Sequence, residues 1–273
     1  VLSDVEDLLA CPLCRGDLTA GERALRCPAG HSFDVARQGY ASLLAGGAAT
    51  GTADTAAMVQ ARAGFLDAGH YTPLASALAE LASGTVLDAG AGTGHYLAAA
   101  LRSGAAERGL ALDLSKHAMR RAARAHPGIG AVVADLWRDL PVRDAVVDTV
   151  YDVFAPRNAP EFRRVLRPGG RLLVATPTAA HLAELVGPLG LLSVDERKDE
   201  RLAETFAGTF RLESADLVTI ALRLTSEEAA TLVGMTPSAH HVPEGELRKR
   251  LAGLGTEIDA TAQVRVAVYL PER

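Results

Sequence analysis

Val86-Leu87-Asp88-Ala89-Gly90-Ala91-Gly92-Thr93-Gly94 reads as an apolar strand that ends in three alternate glycines and then opens a helix. Glycines at such a turn let the backbone pass close to a ligand and adopt positive φ, and the helix start supplies unpaired N–H donors. Asp113, nineteen residues after Gly94 and at the end of the next apolar run, is placed to accept the hydroxyl hydrogens of a ribose. Outward from this turn, short apolar runs alternate with helical stretches, the pattern of βαβ units around a parallel sheet. Strands are expected at Val86–Ala89, Gly109–Asp113, Ala131–Ala134, Val146–Phe154 and Gly170–Ala175, with helices near Tyr96–Arg102, Lys116–Ala125 and Pro160–Val165. Ahead of them, Met58, Ala61, Phe65 and Leu66 fall on one helical face, and Leu74, Leu78 and Leu81 on another. The end of the chain breaks the rhythm. Leu212–Leu224 and Glu257–Leu270 are long strand-like runs around helical pieces at Ser226–Val233 and Glu244–Leu251, and a closing antiparallel pair fits them.

The chain has 273 residues, a formal charge of −5 and 48% apolar residues, enough for one large domain, or one ordinary domain with a small attachment, with a substantial core, and too apolar for a disordered or fibrous protein. No run approaches the roughly 20 apolar residues of a membrane span. Val1-Leu2-Ser3-Asp4-Val5-Glu6-Asp7 is acidic where a secretory signal would be basic, so a cytoplasmic protein is expected. The three cysteines, all within the first 27 residues, argue against a disulfide scaffold.

They suit a metal instead. Cys11-x2-Cys14-x12-Cys27-x3-His31 places two paired-ligand knuckles around a twelve-residue loop, which is zinc spacing. Four protein ligands leave no position for a catalytic water, so the zinc is expected to be structural. Such modules often grip nucleic acid, but here Arg15, Arg23, Arg26 and Arg37 are offset by Asp17, Glu22 and Asp34. Residues 1–44 therefore read as a zinc-binding module and 45–75 as a linker with connecting helices, Ala45 to Thr52 being flexible. Residues 76–273 read as the main domain.

Dinucleotide enzymes carry G-x-G-x-x-G at the turn, whereas this chain has G-x-G-x-G preceded by Asp88. That pattern resembles motif I of the class I S-adenosylmethionine-dependent methyltransferases, an α/β, Rossmann-like fold. The resemblance continues through Asp113, through Ala134-Asp135-Leu136 and through Leu166-Arg167-Pro168-Gly169-Gly170. It implies S-adenosylmethionine across Gly90, Gly92, Thr93 and Gly94 beside Asp88, with Asp113 on the ribose and Asp135 and Leu136 at the adenine.

Over essentially the whole chain the sequence also resembles the RlmA/TlrB family of 23S rRNA guanine-N1 methyltransferases. The matching segments include Cys11-Pro12-Leu13-Cys14, Cys27-Pro28-Ala29-Gly30-His31, Met58-Val59-Gln60-Ala61-Arg62, Phe65-Leu66-Asp67-Ala68-Gly69-His70-Tyr71, Phe154-Ala155-Pro156, Ala175-Thr176-Pro177 and Met235-Thr236-Pro237. The family implies a homodimer whose zinc modules help hold an rRNA hairpin near the peptide exit tunnel, cofactor contacts at Tyr71, Gly92, Thr93 and His181, and, in its Gram-positive branch, tylosin-type macrolide resistance. No membrane or DNA partner is implied.

The residues bear on the acceptor atom independently. Carbon-5 methylation of a pyrimidine needs a cysteine nucleophile, and none follows Cys27. Exocyclic amine methylation usually brings an Asn- or Asp-Pro-Pro-aromatic segment, where this chain has Asp152-Val153-Phe154-Ala155-Pro156. A ring nitrogen such as guanine N1 remains, and its proton must leave. Asp152 is the candidate for that proton, and Phe154 for stacking an unstacked base. Arg157, Arg163, Arg164 and Arg167 are expected beside this pocket on RNA phosphates, in preference to the stripe Lys116, Arg120 and Arg124. The competing functions are a small-molecule methyltransferase of the same fold and a non-catalytic RNA-binding protein. Removing residues 1–44 is expected to separate them, loss of RNA binding with retained cofactor binding favouring the RNA enzyme.

Overall fold

A computed structural model describes residues 1–44, 53–191, 197–235 and 244–272. The linker expected from Ala45 to Thr52, and Thr236 and Pro237, lie outside the described residues. The chain begins with two 3-10 turns, Leu2–Asp4 and Glu6–Leu8, and then forms β1 (Thr19–Ala20), β2 (Ala24–Arg26), β3 (Ser32–Asp34) and β4 (Tyr40–Ser42). Helices α1 (Ala56–Asp67) and α2 (Thr72–Leu81) lead into β5 (Gly84–Ala89), α3 (His95–Ser103), β6 (Ala106–Asp113), α4 (Lys116–Ala125) and β7 (Ile129–Val133). Next come β8 (Val147–Val153), α5 (Ala159–Val165), β9 (Leu166–Pro177), α6 (Ala183–Leu189) and α7 (Lys198–Phe206). The chain closes with β10 (Phe210–Thr225), α8 (Ser226–Gly234), α9 (Glu244–Ala252) and β11 (Glu257–Pro271).

Eight strands form one sheet in the order β10-β11-β9-β8-β5-β6-β7-β4. The strands from β9 to β4 are mutually parallel, and the long β10–β11 ribbon closes the other side antiparallel, as expected from the sequence. Parallel strands are buried on both faces, which is why β5 and β7 read as continuous apolar runs rather than alternating ones. One face packs on α1 to α4, α6, α8 and α9; the other packs on α5, α7 and the N-terminal segment. The chain order reverses at β5, which has β8 on one side and β6 on the other. Ligands bind at such a switch point, beyond the carboxyl ends of the strands.

Two expectations change here. On α1 the buried residues are Val59, Ala63, Phe65 and Leu66, and Met58 and Ala61 are only half-buried, because the helix turns its face toward α8 and α4. More consequentially, the N-terminal segment is not a detachable module. Tyr40, Ala41 and Ser42 pair in parallel with Ala131, Val132 and Val133, so the strand after the cysteine turns is the edge strand of the main sheet. Leu2, Val5, Leu8, Leu9, Leu25 and Leu43 share one apolar core with Leu110, Val132 and Val142. Arg15 donates from its two terminal nitrogens to the carbonyls of Leu140 (2.7 Å) and Val142 (2.9 Å), and Arg108 pairs with both oxygens of Asp7 at 2.7 and 2.8 Å. Removing residues 1–44 would strip a sheet edge and open this core, so that truncation cannot separate the two functional readings. Among the described residues no helix is long and apolar enough to cross a membrane.

Candidate active site and metal centre

The glycine loop hangs from the end of β5. Gly90, Gly92 and Gly94 all have positive φ (86°, 52° and 75°), which L side chains rarely adopt. At Gly90 a Cβ would run into the side chain of Ala155, and at Gly94 it would stand 3.0 Å from the Cβ of Ala122. The first glycine thus lets the turn after β8 close on the loop, and the third lets α4 pack against the start of α3. Leu136, buried beyond β7, completes the cleft floor opposite Gly90.

Three carboxylates converge on this crevice. Asp113 accepts from the N–H of Gly92 (2.9 Å) on one oxygen and from the N–H of Ser115 (2.8 Å) on the other, so it braces the loop. Burial pushes its carboxyl above the usual range, and these two donors offset part of the shift. Asp135 accepts from the N–H of Trp137 at 3.0 Å and faces Arg138 at 3.4 Å. Asp88 differs: it is 1% exposed and neither oxygen has a hydrogen-bond partner. Burial first, then the neighbouring Asp113 and Asp152, push its carboxyl up to about 8. A buried polar group without a partner is costly and marks a site that expects a ligand donor. A ligand carrying a cationic ammonium or sulfonium group fits it.

Tyr71, at the start of α2, is buried with Tyr96 beside Asp88; burial, then Tyr71 and Asp88, push the Tyr96 hydroxyl up, while Arg62 opposes. On the β8 side, Asp152 is wholly buried, accepts from the N–H of Ala155 (3.3 Å) and lies 3.6 Å from Nε of Arg157. Phe154 has φ of +56°, a strained conformation for an aromatic residue, and is 42% exposed with its ring 6.4 Å from that of His181. His181 is held by Nδ1 against the carbonyl of Gln263 at 3.1 Å.

The expected arginine cluster is not at this site. Helix α5 runs back from the carboxyl end of β8, so its last turn reaches the opposite end of the sheet. There Arg164 is clamped by Glu161 and Asp144, both at 2.6 Å, and by the carbonyls of Leu140 and Val142. Arg167 pairs with Asp148 at 2.9 Å, and Arg163 reaches the carbonyl of Glu272 at 3.4 Å. Arg164 is a structural clamp, and Arg157 is engaged with Asp152. Neighbourhood along the chain to Phe154 had suggested a shared surface that the geometry does not make.

Cys11, Cys14, Cys27 and His31 offer one ligand atom each, all within 4.8 Å of one another. Nδ1 of His31 lies 3.4 Å from Sγ of Cys11 and 3.3 Å from Sγ of Cys27, and Cys14 lies 3.7 Å from Cys27. Cys11 and Cys27 are buried and Cys14 is exposed. Three soft thiolates and one imidazole make a closed tetrahedral set suited to zinc.

Comparison with known proteins agrees with both halves. Residues 9–45 match the zinc-ribbon family described as RlmA, N-terminal, and residues 86–170 match the family described as methyltransferase domain. A protein of Micromonospora griseorubida named as a 23S rRNA (guanine-N1)-methyltransferase is 50% identical, over 96% of this chain and 97% of its own. The 23S rRNA (guanine(748)-N(1))-methyltransferase of Streptomyces fradiae is 47% identical, over 96% of each chain. The chain belongs to the 23S rRNA (guanine-N1)-methyltransferases. As a member of that family it is an S-adenosylmethionine-dependent enzyme with a structural zinc ribbon. The fold of its catalytic part is general: a methyltransferase solved with the Haloferax volcanii Trm112 activator superposes with a TM-score of 0.51 at 24% identity, covering 79% of this chain and 96% of that one.

Three features of this 23S rRNA (guanine-N1)-methyltransferase were not anticipated. The segment before α1 lies beside the glycine loop: Ser115 Oγ donates to the carbonyl of Asp54 at 2.7 Å, and Arg62, ion-paired with Asp54, lies against Gly92. Arg62 also reaches the carbonyl of Met235 at 3.1 Å, tying α8 to the site. Trp137, the chain's one tryptophan, is 71% exposed just beyond Asp135. Trp137 had a signal in its rarity beside a motif acid and Arg62 in the family-matching segment around it; Asp54 is brought in by tertiary packing alone.

Proposed function

We propose that this enzyme transfers a methyl group from S-adenosylmethionine to N1 of a guanine in a 23S rRNA hairpin near the peptide exit tunnel, at the position named for the Streptomyces fradiae relative, and so confers tylosin-type macrolide resistance. The observation that carries the reading is the match to that relative, 47% identity over 96% of both chains. In this reading the enzyme works in the cytoplasm as a homodimer, Cys11, Cys14, Cys27 and His31 hold zinc, and the ribbon helps hold the hairpin.

The cofactor supplies an electrophilic methyl on sulfur. Asp88 would accept from its ammonium group, Asp113 from its ribose hydroxyls, and Asp135 with Leu136 would hold the adenine; Tyr71, Gly92, Thr93 and His181 would line the remainder. Phe154 stacks the guanine. Asp152, whose carboxylate Arg157 orients, would accept the proton that guanine N1 gives up when it takes the methyl group. The contribution of these residues is position and electrostatics rather than covalent chemistry.

Two measurements test this assignment. Asp113→Ala removes charge-assisted hydrogen bonds worth about 1.5–3 kcal/mol, so calorimetry should show a roughly 10- to 150-fold loss of cofactor affinity; unchanged binding removes Asp113 from the ribose. Asp152→Asn should slow single-turnover methylation of an rRNA transcript while cofactor and RNA affinities hold, and raising pH should restore part of the rate because guanine N1 then ionises unaided. A wild-type rate eliminates Asp152 as proton acceptor. Methyl label found on a small molecule and never on rRNA overturns the substrate.

A further inference from the structure

A second concavity, of about 570 Å³, lies on the helical side of the loop, between α1, α3 and α4. Its lining shares only Thr93 with the cofactor loop and includes none of Asp88, Asp113 or Asp135. Four guanidinium groups face it, from Arg102, Arg120, Arg121 and Arg124, with the imidazoles of His95 and His117. The single carboxylate in its wall, Asp67, is taken by Arg121 at 2.6 Å. Among the described residues Arg102, Arg120 and Arg124 have no carboxylate within ion-pair distance.

Two polar atoms at its inner end are orphaned. Thr93, 5% exposed, has an Oγ1 without a hydrogen-bond partner, and so does the buried Nε2 of His95. Repelling cations around unsatisfied buried polar atoms leave a free energy deficit that an anion with several acceptor oxygens would relieve. The cofactor is the wrong ligand for it, since its sulfonium and ammonium groups give it a net positive charge. The volume is that of a ligand cleft. The spacing of the cations is regular: Lys116, Arg120 and Arg124 recur every fourth residue of α4 and lie on one exposed face that continues the groove outward.

We infer that this groove binds the sugar–phosphate backbone of the RNA substrate, His95 donating to a phosphate oxygen at its inner end while Arg120 and Arg124 neutralise the backbone along α4. The inference rests on the rRNA reading above. It moves the phosphate-binding surface from the last turn of α5, where the arginines are spent on internal carboxylates and carbonyls, to a wall that begins beside the methyl donor's loop. A strand laid there would couple substrate docking to the loop that holds the cofactor.

The test is binding of a fluorescein-labelled transcript of the 23S hairpin, followed by anisotropy at several salt concentrations, with Arg120→Gln/Arg124→Gln set against wild type and against Arg163→Gln. Each phosphate contact contributes about 0.7–0.9 to the slope of log K against log salt, so the double variant should lose roughly 1.4–1.8 of slope. Its affinity should fall at least about tenfold near 0.1 M salt. Its KM for RNA should rise with kcat retained at saturating RNA, cofactor affinity should be unaltered, and Arg163→Gln should bind as wild type. Arg120→Lys/Arg124→Lys should restore most of the slope, which a packing role would not. A slope equal to wild type in the double variant, or an equal loss from Arg163→Gln, overturns the groove while leaving the rRNA substrate in place. A wild-type enzyme that neither binds nor labels the transcript overturns both.

Discussion

Asp88→Asn should flatten the pH dependence of stability of the cofactor-free enzyme. In the wild type the folded Asp88 carboxyl titrates at about 8 while an unfolded aspartate titrates near 3.8. Between those values the folded state holds a proton that the unfolded state has lost, so stability is greatest at the acid end and declines as pH rises through the folded value. The slope from one such group is at most about 1.4 kcal/mol per pH unit. Over pH 6 to 8, where thiolate ligation of zinc is little disturbed, the wild type should lose roughly 2 kcal/mol that the asparagine variant keeps. For a chain of this size that is a Tm gap of about 4–8 °C at the upper end. Adding cofactor should reverse the ranking, because a cation beside Asp88 favours the carboxylate. Binding to wild type near pH 7 should therefore release up to one proton, seen as a buffer-dependent heat in calorimetry, and the variant should release none. Parallel stability profiles for the two proteins would show that Asp88 is not the group that titrates.

Zinc removal should have the largest effect of all. Structural zinc contributes about 10–16 kcal/mol in small fingers, and here the ribbon shares its core with the sheet. Cys27→Ser, or a strong chelator, should therefore do more than unfold residues 9–45. The pairing of Tyr40, Ala41 and Ser42 with Ala131 to Val133, and the bond from the N–H of Leu43 to the carbonyl of Val133 (3.0 Å), should be lost with it. Hydrogen exchange should then rise along β7, far in sequence from any cysteine, and metal analysis should show less than one zinc per chain. Full zinc occupancy in Cys27→Ser, or β7 protection unchanged in chelated protein, would refute the coupling.

The doubly wound sheet was legible because its signals are local and redundant. β5 and β6 are apolar runs closed by Gly90 and by Asp113, and α4 begins at Lys116 as expected, with Ser115 before it accepting from the N–H of Ala118 at 3.3 Å. The four metal-binding residues were legible from spacing, since a knuckle confines its ligands within a few residues. What failed was whatever depends on direction in space. β4 is three residues long, too short to show a period, and its partner lies about ninety residues away. α6 carries Pro188 inside and Gly187 before it, which disguise a helix. The arginines of α5 were misplaced because a helix of seven residues ends about 10 Å from where it begins, away from Phe154. Conversely, nothing local in the stripe on α4 shows that α1 and α3 complete a groove at Arg120 and Arg124.

The edge position of β4 also sets an order of events during synthesis. The three residues 40–42 leave the ribosome well before 131–133 exist, and at about 5–20 residues per second the roughly ninety intervening residues take some 5–20 s to make. Through that interval Leu25 and Ala41 have no sheet to pack on. The zinc ligands, by contrast, all lie between residues 11 and 31. A metal ion captured early would keep the nascent N-terminus folded and its apolar surface gathered until the growing sheet arrives to receive it.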